Sequence, residues 1–200
     1  MIHTEFAWET ADMVADRAVV IRWGDLEPTP WKNGGGLTRE IASSPEGSNT
    51  SDFDWRVSIA DVEAAGPFSS FPGVDRVITL LEGGSMILDS ESGRTVLTVR
   101  EPHSFPGEAS VTCELPDGST RDLNLMTRRG QASGDVSIHT VSSPMRIDGD
   151  GSRRLVVALE DGVDARESQR SNWTLDCFDV LDTTGPLSVG PGTFALISVL

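Results

Sequence analysis

The chain has no tyrosine, one lysine, two cysteines and three histidines in 200 residues. Each shortage closes a route to function. Without tyrosine, no phenol can serve as an acid or base. The three histidines, His3, His103 and His139, are isolated, with no His-x-His pair and no glutamate at ligand spacing. That pattern excludes the usual transition-metal sites, so neither a metal nor another cofactor is expected. Cys113 and Cys177 lie in unrelated segments, which reads as two reduced thiols of a cytoplasmic protein rather than a disulfide framework. No apolar stretch approaches the roughly 20 residues of a spanning helix. The N-terminal segment lacks the basic and apolar regions of a signal peptide. Fifteen arginines and Lys32 stand against 31 acidic residues, a net charge of −15. So acidic a surface repels nucleic acid and anionic membrane, and neither is expected as a partner.

Short β-type runs fill the chain: 18–23, 37–42, 53–62, 76–83, 85–89, 95–99, 110–115, 121–127, 136–141, 153–160, 175–181 and 193–200. Clusters of Gly, Pro, Asp and Ser separate them, so the fold class is all-β, a sandwich or barrel. Residues 5–17 alone read as a helix. Short echoes, FPG at 71–73 and 105–107 and LLEGG against ALEDG, are compatible with two related β modules joined near 128–135.

The stretch PWKNGGGLTRE, residues 30–40, invites a phosphate-loop reading and fails it. Its lysine precedes the glycines, and a β-like run follows them where a helix should start. The glycines are instead expected to permit unusual φ values or close backbone approach. Period-two alternation puts Thr38 and Glu40 on one strand face and Arg39 on the other. Alternation also groups Arg56 with Ser58, and Asp122 with Asn124, Met126 and Arg128. These polar faces could hold a small carboxylate or amide by charge-assisted hydrogen bonds; alternation is equally satisfied by a face turned to solvent. The segment GPFSSFPG, with Phe68 and Phe71, either walls a pocket or forms a packed turn. No Gly-x-Ser-x-Gly elbow is present.

The succession PWKNGGGLTREIA, DFDWRVSIADVEAAGPFSSFPGVDRVITLLEG, FPGE and DLNLMTRRG resembles the HutD/Ves family, strongly over about residues 18–130 and weakly beyond. The resemblance implies a bacterial cytoplasmic protein with a cupin-type β-barrel (RmlC-like jelly roll), expected to be a bicupin. A first barrel would occupy 1–130 and carry the motifs. A second, weaker module over 131–200 would pack on it, with strands open to exchange between the two. The family is associated with histidine utilization and has no established catalytic activity. It lacks the metal-binding histidines of enzymatic cupins, as this chain does.

The resemblance further implies a ligand pocket built from Asn33, Gly35, Arg39, Glu40, Arg56, Ser58, Phe68, Arg76, Asp122, Asn124 and Arg128. The expected ligand is a small anionic or amide metabolite, such as urocanate, formylated glutamate or formate. The expected role is regulation of histidine breakdown, with a homodimer as an option. The alternative is an isomerase or hydrolase using Glu40 or Asp122 as general base. Binding is favoured because arginines stand near every candidate carboxylate.

Overall fold

The computed structural model of the chain describes residues 18–167 and 171–200; the helix expected over 5–17 lies outside them. In chain order the strands are β1 (Val19–Ile21), β2 (Thr29–Pro30), β3 (Gly36–Ser44), β4 (Trp55–Val62), β5 (Gly66–Pro67), β6 (Val74–Gly83), β7 (Met86–Ser90), β8 (Gly93–Leu97), β9 (Pro102–Pro106), β10 (Val111–Glu114) and β11 (Thr120–Arg128). They continue with β12 (Gly134–Val141), β13 (Met145–Ile147), β14 (Arg153–Ala158), β15 (Val163–Glu167), β16 (Ser171–Leu175), β17 (Val180–Thr183), β18 (Leu187–Val189) and β19 (Gly192–Val199). A 3-10 turn at Trp23–Asp25 is the sole helical element among the described residues.

The strands form four antiparallel sheets, ordered β2-β3-β4-β11-β6-β9, β5-β10-β7-β8, β1-β17-β14-β19-β12 and β13-β18-β15-β16. Alternation stacks them in four layers. On the first sheet, Trp55, Val57, Ile59, Leu123 and Leu125 pack against Leu155, Val157, Ala195 and Ile197 of the third. On the other face of the first sheet, Ala60, Val62, Ile78 and Leu80 meet Met86, Leu88, Leu97, Val111 and Cys113 of the second. The third sheet turns Val156, Ala158, Leu181 and Phe194 onto Val163, Ala165, Leu175 and Val189 of the fourth. Several of these side chains have no exposed surface, Val57, Ile59, Leu123, Leu155 and Phe194 among them. Each large aliphatic or aromatic group so buried contributes about 1.5–3 kcal/mol.

The layers thus make two sheet pairs, each enclosing its own interior, with a shared apolar seam between them. The expected run 175–181 divides: Leu175 ends β16, a turn follows, and Val180 opens β17. Chain residues 19–21 belong to the second pair, because β1 hydrogen-bonds to β17. Arginines also pin the seam. Arg153 lies over the Trp55 ring (5.0 Å), Arg39 over Trp23 (4.6 Å) and Arg121 over Phe178 (4.9 Å).

Two of the three consecutive glycines have separate structural reasons. Gly34 takes φ +70°, and a Cβ on Gly36 would stand 2.3 Å from the Asp61 carbonyl oxygen. The turn therefore needs a left-handed residue first and a bare backbone two residues later, where β3 meets β4.

Candidate functional site

The polar half of the first interior is a cavity of about 1030 Å³. β4 supplies Arg56 and Ser58, β6 supplies Arg76, and β11 supplies Asp122, Asn124 and Arg128; β3 adds Thr38 and Glu40. Asn33 and Phe68 line it as well. The polar faces read from alternation are therefore not solvated strand faces. Ser58, Arg76, Asp122 and Asn124 are 3%, 7%, 1% and 7% exposed.

Two of the expected residues are elsewhere. Arg39 is on the opposite face of β3, ion-paired with Asp61 (3.0 Å) and stacked on Trp23. Alternation forces this, since Glu40 faces the cavity and its neighbour cannot. Gly35 also does not line the cavity. Its amide N–H donates to Asn33 Oδ1 (3.0 Å), and its carbonyl accepts from the amides of Glu63 (2.9 Å) and Ala64 (3.1 Å).

Other lining residues escaped sequence reasoning. Trp31 donates from Nε1 to Thr38 Oγ1 (2.8 Å) on the mouth wall. Lys32, Ser48, Asn49, Thr50 and Ser51 sit in loops, where no period marks a direction. Ser43 illustrates a different failure. Strict alternation puts it opposite Glu40, yet the register of β3 on β4 shifts between Glu40 and Ala42. That bulge returns Ser43 to the Glu40 side, and its hydroxyl donates to Glu40 Oε1 (2.9 Å).

Two polar clusters lie side by side on this face of the first sheet, with Ser58 of one directly opposite Asn124 of the other across the β4–β11 ladder. In the outer one, Arg56 Nε donates to Glu40 Oε2 (2.7 Å) and Arg56 Nη1 donates to Ser58 Oγ (3.2 Å). In the inner one, Arg76 Nη2 donates to Asn124 Oδ1 (2.7 Å), and Asn124 Nδ2 donates to Asp122. Arg76 Nε is buried without a partner, and the guanidinium is wrapped by Phe105 (4.9 Å), Phe68 (5.2 Å) and Phe71 (5.7 Å). Arg128 donates to the carbonyls of Phe53 and Ser51, both at 2.8 Å, and so ties the 49–53 loop to β11.

Burial dominates the electrostatics of the inner cluster. It pulls the Arg76 guanidinium down to about 10, with Asp122 opposing and Arg56 adding to the effect; the group still carries its charge at neutral pH. Burial likewise pushes the Asp122 carboxyl up to about 7, against the nearby Arg76 charge and the Asn124 hydrogen bond. Four cations, Lys32, Arg56, Arg76 and Arg128, face two carboxylates, Glu40 and Asp122. Of the four, Arg56 alone forms an ion pair among the described residues.

The cavity offers no histidine or cysteine, and among the described residues no three His, Cys, Asp or Glu side chains converge. The donor set does not fit a transition metal. A second, shallower cleft of about 400 Å³ is lined by Asp61, Glu63, Glu82 and Arg121. Its one cation is already engaged, Arg121 pairing with Asp61 (2.5 Å) and Glu82 (2.7 Å), and its remaining charge is the Glu63 carboxylate, so it does not suit an anion.

Paired jelly-roll sheets around a polar, cation-rich cavity define a cupin-type protein. Solved cupins support the fold alone: a Cupin 2 conserved barrel domain protein from Leptotrichia buccalis superposes with TM-score 0.59 at 9% identity, covering 91% of this chain and 95% of that one. The chain belongs to the HutD family, which it matches over residues 24–190. HutD from Pseudomonas fluorescens SBW25, solved in a formate condition, superposes with TM-score 0.81 at 32% identity, over 92% of this chain and 98% of that one. Among curated relatives, Protein Ves of Citrobacter koseri is 46% identical over 110 residues. An uncharacterized 21.2 kDa protein in the hutC 3' region of Pseudomonas putida is 42% identical over 109. Each of these two matches spans 54% of this chain and 56% of the relative.

Proposed function

We propose that the first cavity binds a small carboxylate metabolite without a metal, and that this binding serves regulation of histidine utilization. One observation carries the reading. In a chain of net charge −15, four cations converge on a cavity with two carboxylates, and the most buried of them, Arg76, forms no ion pair. A buried guanidinium costs free energy unless a counter-ion compensates it, and a ligand carboxylate matches its planar fork. The phenylalanines around Arg76 and Trp31 at the mouth suit a short apolar or conjugated tail. A relative solved in a formate condition and another encoded in a hutC 3' region fit formate, formylated glutamate and urocanate as candidates. Thermal unfolding with each at saturation tests the reading: a true ligand at 100 times its Kd adds about 2.7 kcal/mol. No increase in Tm with any small carboxylate would overturn it.

One observation favours a second reading, a hydrolase or isomerase with Asp122 as general base. Asp122 is buried, forms no ion pair among the described residues and is pushed up to about 7, which suits proton abstraction at neutral pH. Glu40 is less suited, being held by Arg56 and Ser43. Product formation from a bound carboxylate, followed by proton NMR and abolished in Asp122→Asn, would establish this role.

A further inference from the structure

We propose that the cavity takes up its carboxylate together with a proton, which comes from solvent onto Asp122, so that ligand and Asp122 share one proton beside Arg76. This rests on the carboxylate-binding reading and adds to it the ionic form in which the site is filled.

The geometry of the inner cluster points to it. Asp122 is 1% exposed, and its cross-strand partners Ala60 and Leu80 belong to the apolar cluster beneath the cavity. Its charged surroundings are few. β6 brings Arg76, β4 brings Arg56 and, more remotely, Asp61, β3 brings Glu40, and β10 brings the Cys113 thiol. On β9, His103 stacks on Phe105 (6.2 Å), behind Arg76. Of the two guanidiniums, Arg56 is already matched by Glu40. Arg76 is thus the one unmatched cation beside Asp122, and it reaches Asp122 through Asn124, both ends of whose amide are used.

An entering carboxylate puts a second negative charge against this single guanidinium, beside a carboxyl that is itself almost wholly withdrawn from solvent. Two carboxylates sharing such a site retain one proton between them. Protonated Asp122 also gains an O–H to donate to the ligand. Burial already brings free Asp122 to about 7, and an adjacent anion raises it further. The sign follows from linkage. Below pH 7 the proton is already present and affinity is flat. Above pH 7 it must be drawn from solvent, and affinity falls by about tenfold per pH unit until the complex itself deprotonates.

Formate is the probe. Calorimetric titration at pH 8 in phosphate and in Tris, whose ionisation enthalpies differ, should report close to one proton taken up per formate. The same titration at pH 6 should report almost none. Asp122→Asn, whose fold is checked by its unfolding midpoint, should bind formate with no proton uptake and no pH slope. In the wild-type protein, the Asp122 carboxyl carbon resonance should titrate at higher pH with formate than without, a readout independent of the variant. Formate binding at pH 8 without proton exchange overturns this inference and leaves the binding reading standing. Uptake that persists in Asp122→Asn assigns the proton to another group and also overturns it. No formate binding at either pH removes both.

Discussion

The two sheet pairs share one architecture and differ in what their interiors do with charge. In the second pair, Val156, Ala158, Leu181 and Phe194 close on Val163, Ala165, Leu175 and Val189. The arginines at its edge are ion-paired within the chain, although Arg154 Nη1 is buried without a hydrogen-bond partner. Arg154 pairs with Asp150 (2.7 Å), Arg153 grips Asp182 with two nitrogens, and Glu167 accepts from Thr183. In the first pair the apolar cluster fills only part of the interior. The remainder carries Arg76 and Arg128 with no carboxylate partner among the described residues, beside a carboxyl held near neutrality. Unbalanced charge, more than cavity shape, separates the interior suited to a ligand from the one that is only core.

The contrast is broken or sharpened by mutation. The largest effect is expected in the second pair. Phe194 is fully buried there, and Phe194→Ala should cost about 3–5 kcal/mol through the void it leaves. Chemical unfolding should show that loss, with carboxylate binding unchanged in the protein that remains folded. Impaired binding in that variant would mean the two interiors are coupled.

Next comes Asp122→Asn in the first pair. Asp122 is raised in the folded state to about 7 from an ordinary value of about 3.9. Its contribution to stability is therefore fully present below about pH 4 and is lost as pH rises through 7. By linkage the loss is on the order of 4 kcal/mol. The variant should lack this slope and unfold later than wild type at pH 8. Parallel stability–pH curves for the two proteins would contradict the account of Asp122.

Smaller again is Gly36→Val. Its Cβ would collide with the Asp61 carbonyl, and separating β3 from β4 should cost about 3 kcal/mol. Unfolding midpoints of this variant and of Gly24→Val, where a Cβ meets nothing within 4 Å, should differ clearly. Equal midpoints would remove the close-approach reason for the motif.

Much of the first interior was legible before the fold was known, for one physical reason. β4 and β11 are regular where they face the cavity, so alternation alone grouped Arg56 with Ser58 and Asp122 with Asn124 and Arg128. Wherever the backbone departs from a two-residue period, that reasoning fails. The bulge after Glu40 moved Ser43 onto the cavity side, and loop residues Lys32 and Ser48–Ser51 had no period to read. Arg39 shows the reverse case: alternation separated it from Glu40, and the family resemblance wrongly gathered both into one pocket. Strands β9, β13, β15, β16 and β18 went unread because short polar segments such as PHSFP and VDARE carry little β signal by themselves. Tertiary pairing, not propensity, makes them strands.

The central claim is that the unmatched guanidinium of the first interior receives the ligand's carboxylate. Arg154 supplies an internal control, a buried arginine of the second pair already matched by Asp150. The direct measurement is calorimetric titration of formate, at pH 6, into wild type, Arg76→Met and Arg154→Met. A charge-assisted contact contributes about 1.5–3 kcal/mol, so Arg76→Met should bind about ten- to a hundred-fold more weakly while Arg154→Met binds as wild type does. Equal affinities for wild type and Arg76→Met, or an equal loss in both variants, would contradict the account.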